Sequence, residues 1–151
     1  MNAVCLPEPP LAHARPSLLI VDDDIRLRRL IAWWCEEKQF DVRCAGDGVE
    51  AVHLLPAMRI DIVLTDFRMP GMNGLELAAW MRKNRPEAVV GLMSSDPLTW
   101  DGSALEEFGL DGWLQKPFTV NALDECLREL LLALPAKAGA MASERNSARG
   151  V

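Results

Sequence analysis

The chain has 151 residues, half of them apolar and a quarter charged, a composition suited to one globular domain. No apolar run approaches the roughly 20 residues of a membrane span, and "MNAVCLPEPPLAHARP" (1–16) lacks the basic start and long apolar core of a signal peptide. The net charge is −6, and the tails contribute none of that acid: Glu8 is balanced by Arg15, and Glu144 faces Lys137, Arg145 and Arg149. An acidic body argues against sequence-independent nucleic-acid binding and for protein or cation partners. Cys5, Cys35, Cys44 and Cys126 form no C-x-x-C pair, and only two histidines accompany them, so zinc ligation is not expected. Free thiols in a reducing cytoplasm are the simpler account.

Residues 1–15 form a proline-rich lead-in, expected to be flexible. The first predicted strand is "SLLIV" (17–21), which runs straight into Asp22, Asp23 and Asp24. Leu27, Leu30, Ile31 and Trp34 then follow at i, i+3, i+4, i+7, one stripe of a helix, with Asp24 placed to cap its start. A second strand, "DVRCA" (41–45), precedes a helix around 48–56 that ends near Pro56. "DIVLTD" (61–66) is the third strand, and a helix starting near Gly74 carries Leu77, Ala78 and Met81. After "AVVGLM" (88–93) comes a weak fourth helix, about 98–107, made short or irregular by Gly102. "GWLQK" (112–116) is the fifth strand. Val120, Leu123, Leu127, Leu130 and Leu134 mark the last helix, with Thr119 as its cap and Asp124 and Glu125 near the positive end of its dipole. Residues 135–151 show no apolar periodicity and are expected to be disordered.

Strands 1, 3 and 4 are nearly continuous in apolar character, which suits parallel strands buried on both faces. Five strands alternating with five helices predict an α/β, (βα)5 chain closed as a doubly wound open sheet. In such sheets ligands sit beyond the carboxyl ends of the strands. The chemically useful groups fall at those ends: Asp22 and Asp23 after strand 1, Asp66 after strand 3, Ser94 and Ser95 after strand 4, and Lys116 after strand 5. Clustered carboxylates are oxygen ligands for Mg²⁺, a carboxylate can be the nucleophile in phosphoryl transfer, and a Lys ammonium and a hydroxyl suit the transferred group's charged oxygens.

With "VDD" (21–23), "TDFRMPGMNG" (65–74), Ser94 and "KPF" (116–118), the sequence resembles the receiver domain of two-component response regulators over about residues 16–134. The resemblance implies a flavodoxin-like five-stranded parallel sheet in the order 2-1-3-4-5. It implies that Asp66 is a phosphoacceptor, phosphorylated by a histidine kinase or phosphotransfer protein. Asp23 and Asp66, with the backbone carbonyl of Arg68, would ligate Mg²⁺ or Mn²⁺, and Asp22 would act mainly through a metal-bound water. Ser94 and Lys116 would each meet a phosphoryl oxygen, Trp113 would take the place of the switch aromatic, and the Lys116–Pro117 bond would be cis. A face built from helix 4, strand 5 and helix 5 would then change its preference for a downstream protein, or pair two copies. Neither membrane insertion nor direct nucleic-acid contact is implied, and the chemistry is self-catalysed phosphorylation and dephosphorylation rather than enzymatic turnover.

Two positions depart from the common pattern. Arg68 stands two past the acceptor and Asp96 two past Ser94, positions that in the family flank the path of attacking water. An ion pair between them would tune dephosphorylation, although the Arg68 side chain could instead reach into the metal site. Trp33, Trp34 and Trp80 are expected as core or half-buried helix residues, and Trp100 as half-buried or a partner contact. Two competing functions have specific handles. A haloacid dehalogenase-like phosphatase would use Asp22-x-Asp24, but Arg26 stands where Thr or Val belongs. A degenerate receiver would bind a partner without phosphorylation, against which the complete acceptor set argues. The Met start and the two tails suggest a stand-alone receiver.

Overall fold

The computed structural model describes residues 15–96 and 102–148. Its elements are β1 (Ser17–Val21), α1 (Ile25–Glu37), β2 (Asp41–Ala45), α2 (Gly48–Leu54) with a 3-10 turn (Leu55–Ala57), β3 (Ile62–Asp66), α3 (Gly74–Asn84), β4 (Val89–Ser94), α4 (Gly102–Phe108), β5 (Gly112–Gln115) and α5 (Val120–Ala148). All strand pairs are parallel and the sheet order is β2-β1-β3-β4-β5. This is the doubly wound arrangement the alternation of elements predicts.

Continuous apolar strands supply a core to each face of the sheet. Leu19, Val21, Val63, Val90 and Leu92 point to one face and meet Ala51, Leu77, Ala78 and Met81 of α2 and α3. Leu18, Ile20, Ile62, Leu64 and Met93 point to the other and meet Ile31 and Cys35 of α1 and Leu123, Leu127 and Leu130 of α5. The period of two along each strand divides the side chains between the layers. Capping fixes the helix starts. Asp24 accepts from the N–H groups of Arg26 and Leu27 at 3.0 and 3.3 Å. Asn73 and Glu76 form a capping box on α3, and the Thr119 hydroxyl accepts from the Ala122 N–H at 3.1 Å.

The structure corrects three expectations. Cys35, not Leu30, completes the buried stripe of α1: Leu30 is 60% exposed, as is 56% of Trp33, because the sheet contacts a narrower arc of the helix than the apolar stripe covers. Val120 is likewise exposed at the start of α5, while Leu123, Leu127 and Leu130 are buried. Residues 135–148 are not a tail without structure but continue α5 to Ala148. Their backbone is helical without an apolar stripe because alanine, the best helix former, recurs through them. Within the described residues the fourth helix covers Gly102–Phe108; the expected start near 98, and Trp100 with it, lie outside the described residues, as does the lead-in up to residue 14. Among the described residues no helix is long and apolar enough to cross a membrane.

Candidate functional site

Parallel strands end at the same edge, and four of the five deliver their reactive side chains there. Asp22 follows β1, Asp66 closes β3, Ser94 closes β4 and Lys116 follows β5. Asp22 is fully buried, Asp66 and Ser94 are buried at 8% and 1% exposure, and Asp23 is exposed beside them. Carboxylate oxygens of Asp22, Asp23 and Asp66 all lie within 4.8 Å of one another. Three carboxylates at this spacing are a hard-cation donor set, and one Lys is too little charge to balance them. The residues therefore fit a divalent cation.

Lys116 is the shared counter-ion. Its Nζ donates to Asp22 Oδ2 at 2.7 Å and lies 3.1 Å from Asp66 Oδ1. Burial pushes the Asp66 carboxyl above the ordinary carboxylate value; the Lys116 ammonium opposes this and the Asp22 and Asp23 charges add to it. For Lys116 burial works against the charge, but the hydrogen bond and charge of Asp22, and then Asp66, outweigh it and raise its pKa. The Lys116–Pro117 bond is cis.

The backbone around Asp66 is closely enclosed. The Gly74 N–H donates to the Phe67 carbonyl at 2.8 Å, and a Cβ at Gly74 would collide with the Asp66 carbonyl oxygen, so α3 can begin this near β3 only with glycine there. Ser94 Oγ accepts from the Asp96 N–H at 3.1 Å. Asp96 in turn takes the Arg68 guanidinium in a forked pair, with Nε at 3.2 and 3.0 Å from its two oxygens and Nη2 at 2.9 Å. The exposed Arg68 side chain is thus drawn to Asp96 and over the Phe67 ring, 5.4 Å from the ring centre, rather than into the acidic cluster. Trp113 is half-buried on β5 against the core under α2, α3 and α4. Asp24 stands apart from the acidic cluster as the cap of α1.

One positioning residue escaped the sequence. Arg28 Nη1 donates to the Asp22 backbone carbonyl at 2.6 Å, tying the first acid to α1. The signal was a basic residue in the first turn of a helix, where the dipole disfavours it.

A buried acid at the centre of this sheet order, with two acids and a lysine converging on it, defines a receiver-type acidic pocket on a flavodoxin-like fold. The family model described as the response regulator receiver domain matches residues 18–128, and the chain belongs to that family. The response regulator ArlR of Staphylococcus saprophyticus is 29% identical over 121 residues, covering 80% of this chain and 54% of that protein. The sensor histidine kinase RcsC of Salmonella typhi is 34% identical over 110 residues, 73% of this chain and 12% of that protein. The chain thus spans about half the length of ArlR and a small part of RcsC. Among solved structures, the chemotaxis response regulator CheY4 of Vibrio cholerae matches with a TM-score of 0.70 at 25% identity, covering 77% of this chain and 98% of that one. The response regulator TrrA of Thermotoga maritima, solved in complex with Mg²⁺–BeF, gives 0.67 at 29% identity, covering 76% and 98%.

Proposed function

We propose that Asp66 accepts a phosphoryl group from a histidine kinase or phosphotransfer protein in a Mg²⁺-dependent reaction, and that the resulting aspartyl phosphate alters a face read by a downstream protein. The observation that carries this is the convergence of Asp22, Asp23 and Lys116 on the buried Asp66 carboxylate. The Mg²⁺–BeF complex of the Thermotoga relative favours the same chemistry here.

Asp22, Asp23 and Asp66, with the Arg68 backbone carbonyl, would hold Mg²⁺, or Mn²⁺ in its place. The bound ion supplies positive charge opposite the phosphoryl oxygens. Asp66 attacks phosphorus through a carboxylate oxygen; the new O–P bond forms as the donor's N–P bond breaks, and the imidazole keeps the electron pair. Lys116, already beside Asp66, pairs with one phosphoryl oxygen. The Ser94 hydroxyl turns to donate to another. The Arg68–Asp96 pair, across the mouth of the pocket, governs how readily water reaches phosphorus in the return step. Movement of Ser94 passes to Trp113 and so to the α4–β5–α5 face. Hydrolysis restores Asp66, so the chain is a self-acting phosphoacceptor rather than an enzyme turning over a separate substrate. We place this exchange in the cytoplasm, in keeping with the free thiols of Cys35, Cys44 and Cys126.

Incubation with acetyl phosphate and Mg²⁺ should add the mass of one phosphoryl group, and Asp66→Ala should add none. A wild-type chain that gains no mass would instead be a binding module that works unphosphorylated.

A further inference from the structure

The outer side of α1 carries a surface that the fold does not use. Arg26, Leu30, Trp33 and Glu37 follow at i, i+4, i+7 and i+11, one stripe along the helix, and all four are exposed. Leu30 and Trp33 at 60% and 56% exposure are adjacent on that stripe, more than a scattered surface residue. Beside them an apolar groove of about 530 Å³ runs between α1 and the start of α5, lined by Leu27, Ile31, Trp34, Phe118, Val120 and Leu123. Its wall is pinned, because the Trp34 indole N–H donates to Asp124 of α5 at 2.7 Å.

The charges of α1 run against its own dipole. Its first turn holds no acid and its last no base. Arg26 and Arg29 lie in its first half, Glu36 and Glu37 at its end, and among the described residues no ion pair engages these four side chains. Within the monomer this order is unfavourable. Reversed end for end, it becomes complementary. Arg26 and Glu37, and Leu30 and Trp33, are both centred on the point between Ile31 and Ala32, half a residue from the middle of the helix.

We propose that a second copy of this chain packs on this face, α1 against α1 and antiparallel about a two-fold axis. Arg26 then meets Glu37 of the partner subunit at both ends, and Leu30 meets Trp33 of the partner subunit at the centre, over the groove. A two-fold interface must be self-complementary, which this stripe is and which a foreign helix would give no reason to expect. Antiparallel packing also brings opposite dipole ends together. Two helices about 20 Å long and a shallow groove sit at the small end of specific interfaces, so the pair is weak and reversible. Lys116 lines the same groove and contacts Asp66, so the second copy bounds the acidic pocket on one side. The contacting stripe lies on α1, outside the α4–β5–α5 surface, and only the groove beside it reaches the start of α5.

Sedimentation equilibrium of the full chain, from micromolar to millimolar concentration, tests this. A monomer–dimer equilibrium is expected. Arg26→Glu and Glu37→Arg, each of which suits the dipole of α1 and leaves folding intact, should each raise the dimer dissociation constant about tenfold or more. The double variant Arg26→Glu/Glu37→Arg should recover most of the affinity, since every cross-pair is again of opposite charge. A chain that stays monomeric throughout, a dimer indifferent to the single reversals, or a double variant no better than the singles would each overturn the proposal.

Discussion

Lys116 reaches across the sheet edge to Asp22, with Nζ 2.7 Å from Oδ2, joining residues 94 apart in sequence. The same ammonium serves Asp66, so one cation holds two carboxylates that would otherwise repel at close range. Removing one member of a buried pair leaves a buried charge uncompensated. Lys116→Met should therefore lower the unfolding free energy by about 3 kcal/mol, measured by urea titration at neutral pH. Adding Asp22→Asn should return most of that loss, because the orphaned charge goes with it.

The crowding of Asp22, Asp23 and Asp66 predicts that Mg²⁺ stabilises the chain. An ion that binds only the folded form contributes about 2.7 kcal/mol at a hundred times its dissociation constant, which raises the melting temperature by several degrees. Asp23→Ala should abolish the rise, and because Asp23 is exposed the variant should fold normally. A melting temperature unmoved by saturating Mg²⁺ would count against the metal site.

The forked Arg68–Asp96 pair is solvent-facing, so neither Arg68→Ala nor Asp96→Ala should shift the melting temperature appreciably. The half-life of the phosphorylated chain should change severalfold in both. Phosphoryl loss followed by gel shift measures it, and half-lives equal to wild type in both variants would remove the pair from any role in rate.

The elements that position this site were legible because strict alternation of apolar runs and turns leaves few topologies open. "SLLIV" and "DVRCA" are strands with the bounds read from the letters, and the acids, Ser94 and Lys116 fall at strand ends by position alone. Contacts of long sequence separation were not legible. No local pattern links Trp34 to Asp124 across 90 residues, or Arg28 to the carbonyl rather than the side chain of Asp22. The α1 stripe misled because Leu30 and Ile31 are equally apolar, and only the packed sheet decides which faces inward.

Burial also separates the cysteines. The Cys35 and Cys126 thiols are pushed up to about 12, chiefly by burial, with nearby acids adding to it, while Cys44 is exposed. A thiol reagent at mild alkaline pH should label Cys44 quickly and reach Cys35 and Cys126 only on unfolding. The unfolded thiols, near 9.0, lose their protons first as pH rises, so the folded state binds more protons between about 9 and 12 and stability should fall across that window. Native-state labelling of Cys35 as fast as Cys44 would contradict the burial.

The central claim is that the phosphoryl group resides on Asp66. Chemical reduction of the phosphorylated chain with borohydride converts an aspartyl phosphate to homoserine, and peptide mass spectrometry then locates it. The account predicts homoserine at position 66 alone, dependent on Mg²⁺ and absent from Asp66→Ala. Homoserine at position 22 or 23, or full labelling of the Asp66→Ala chain, would contradict it.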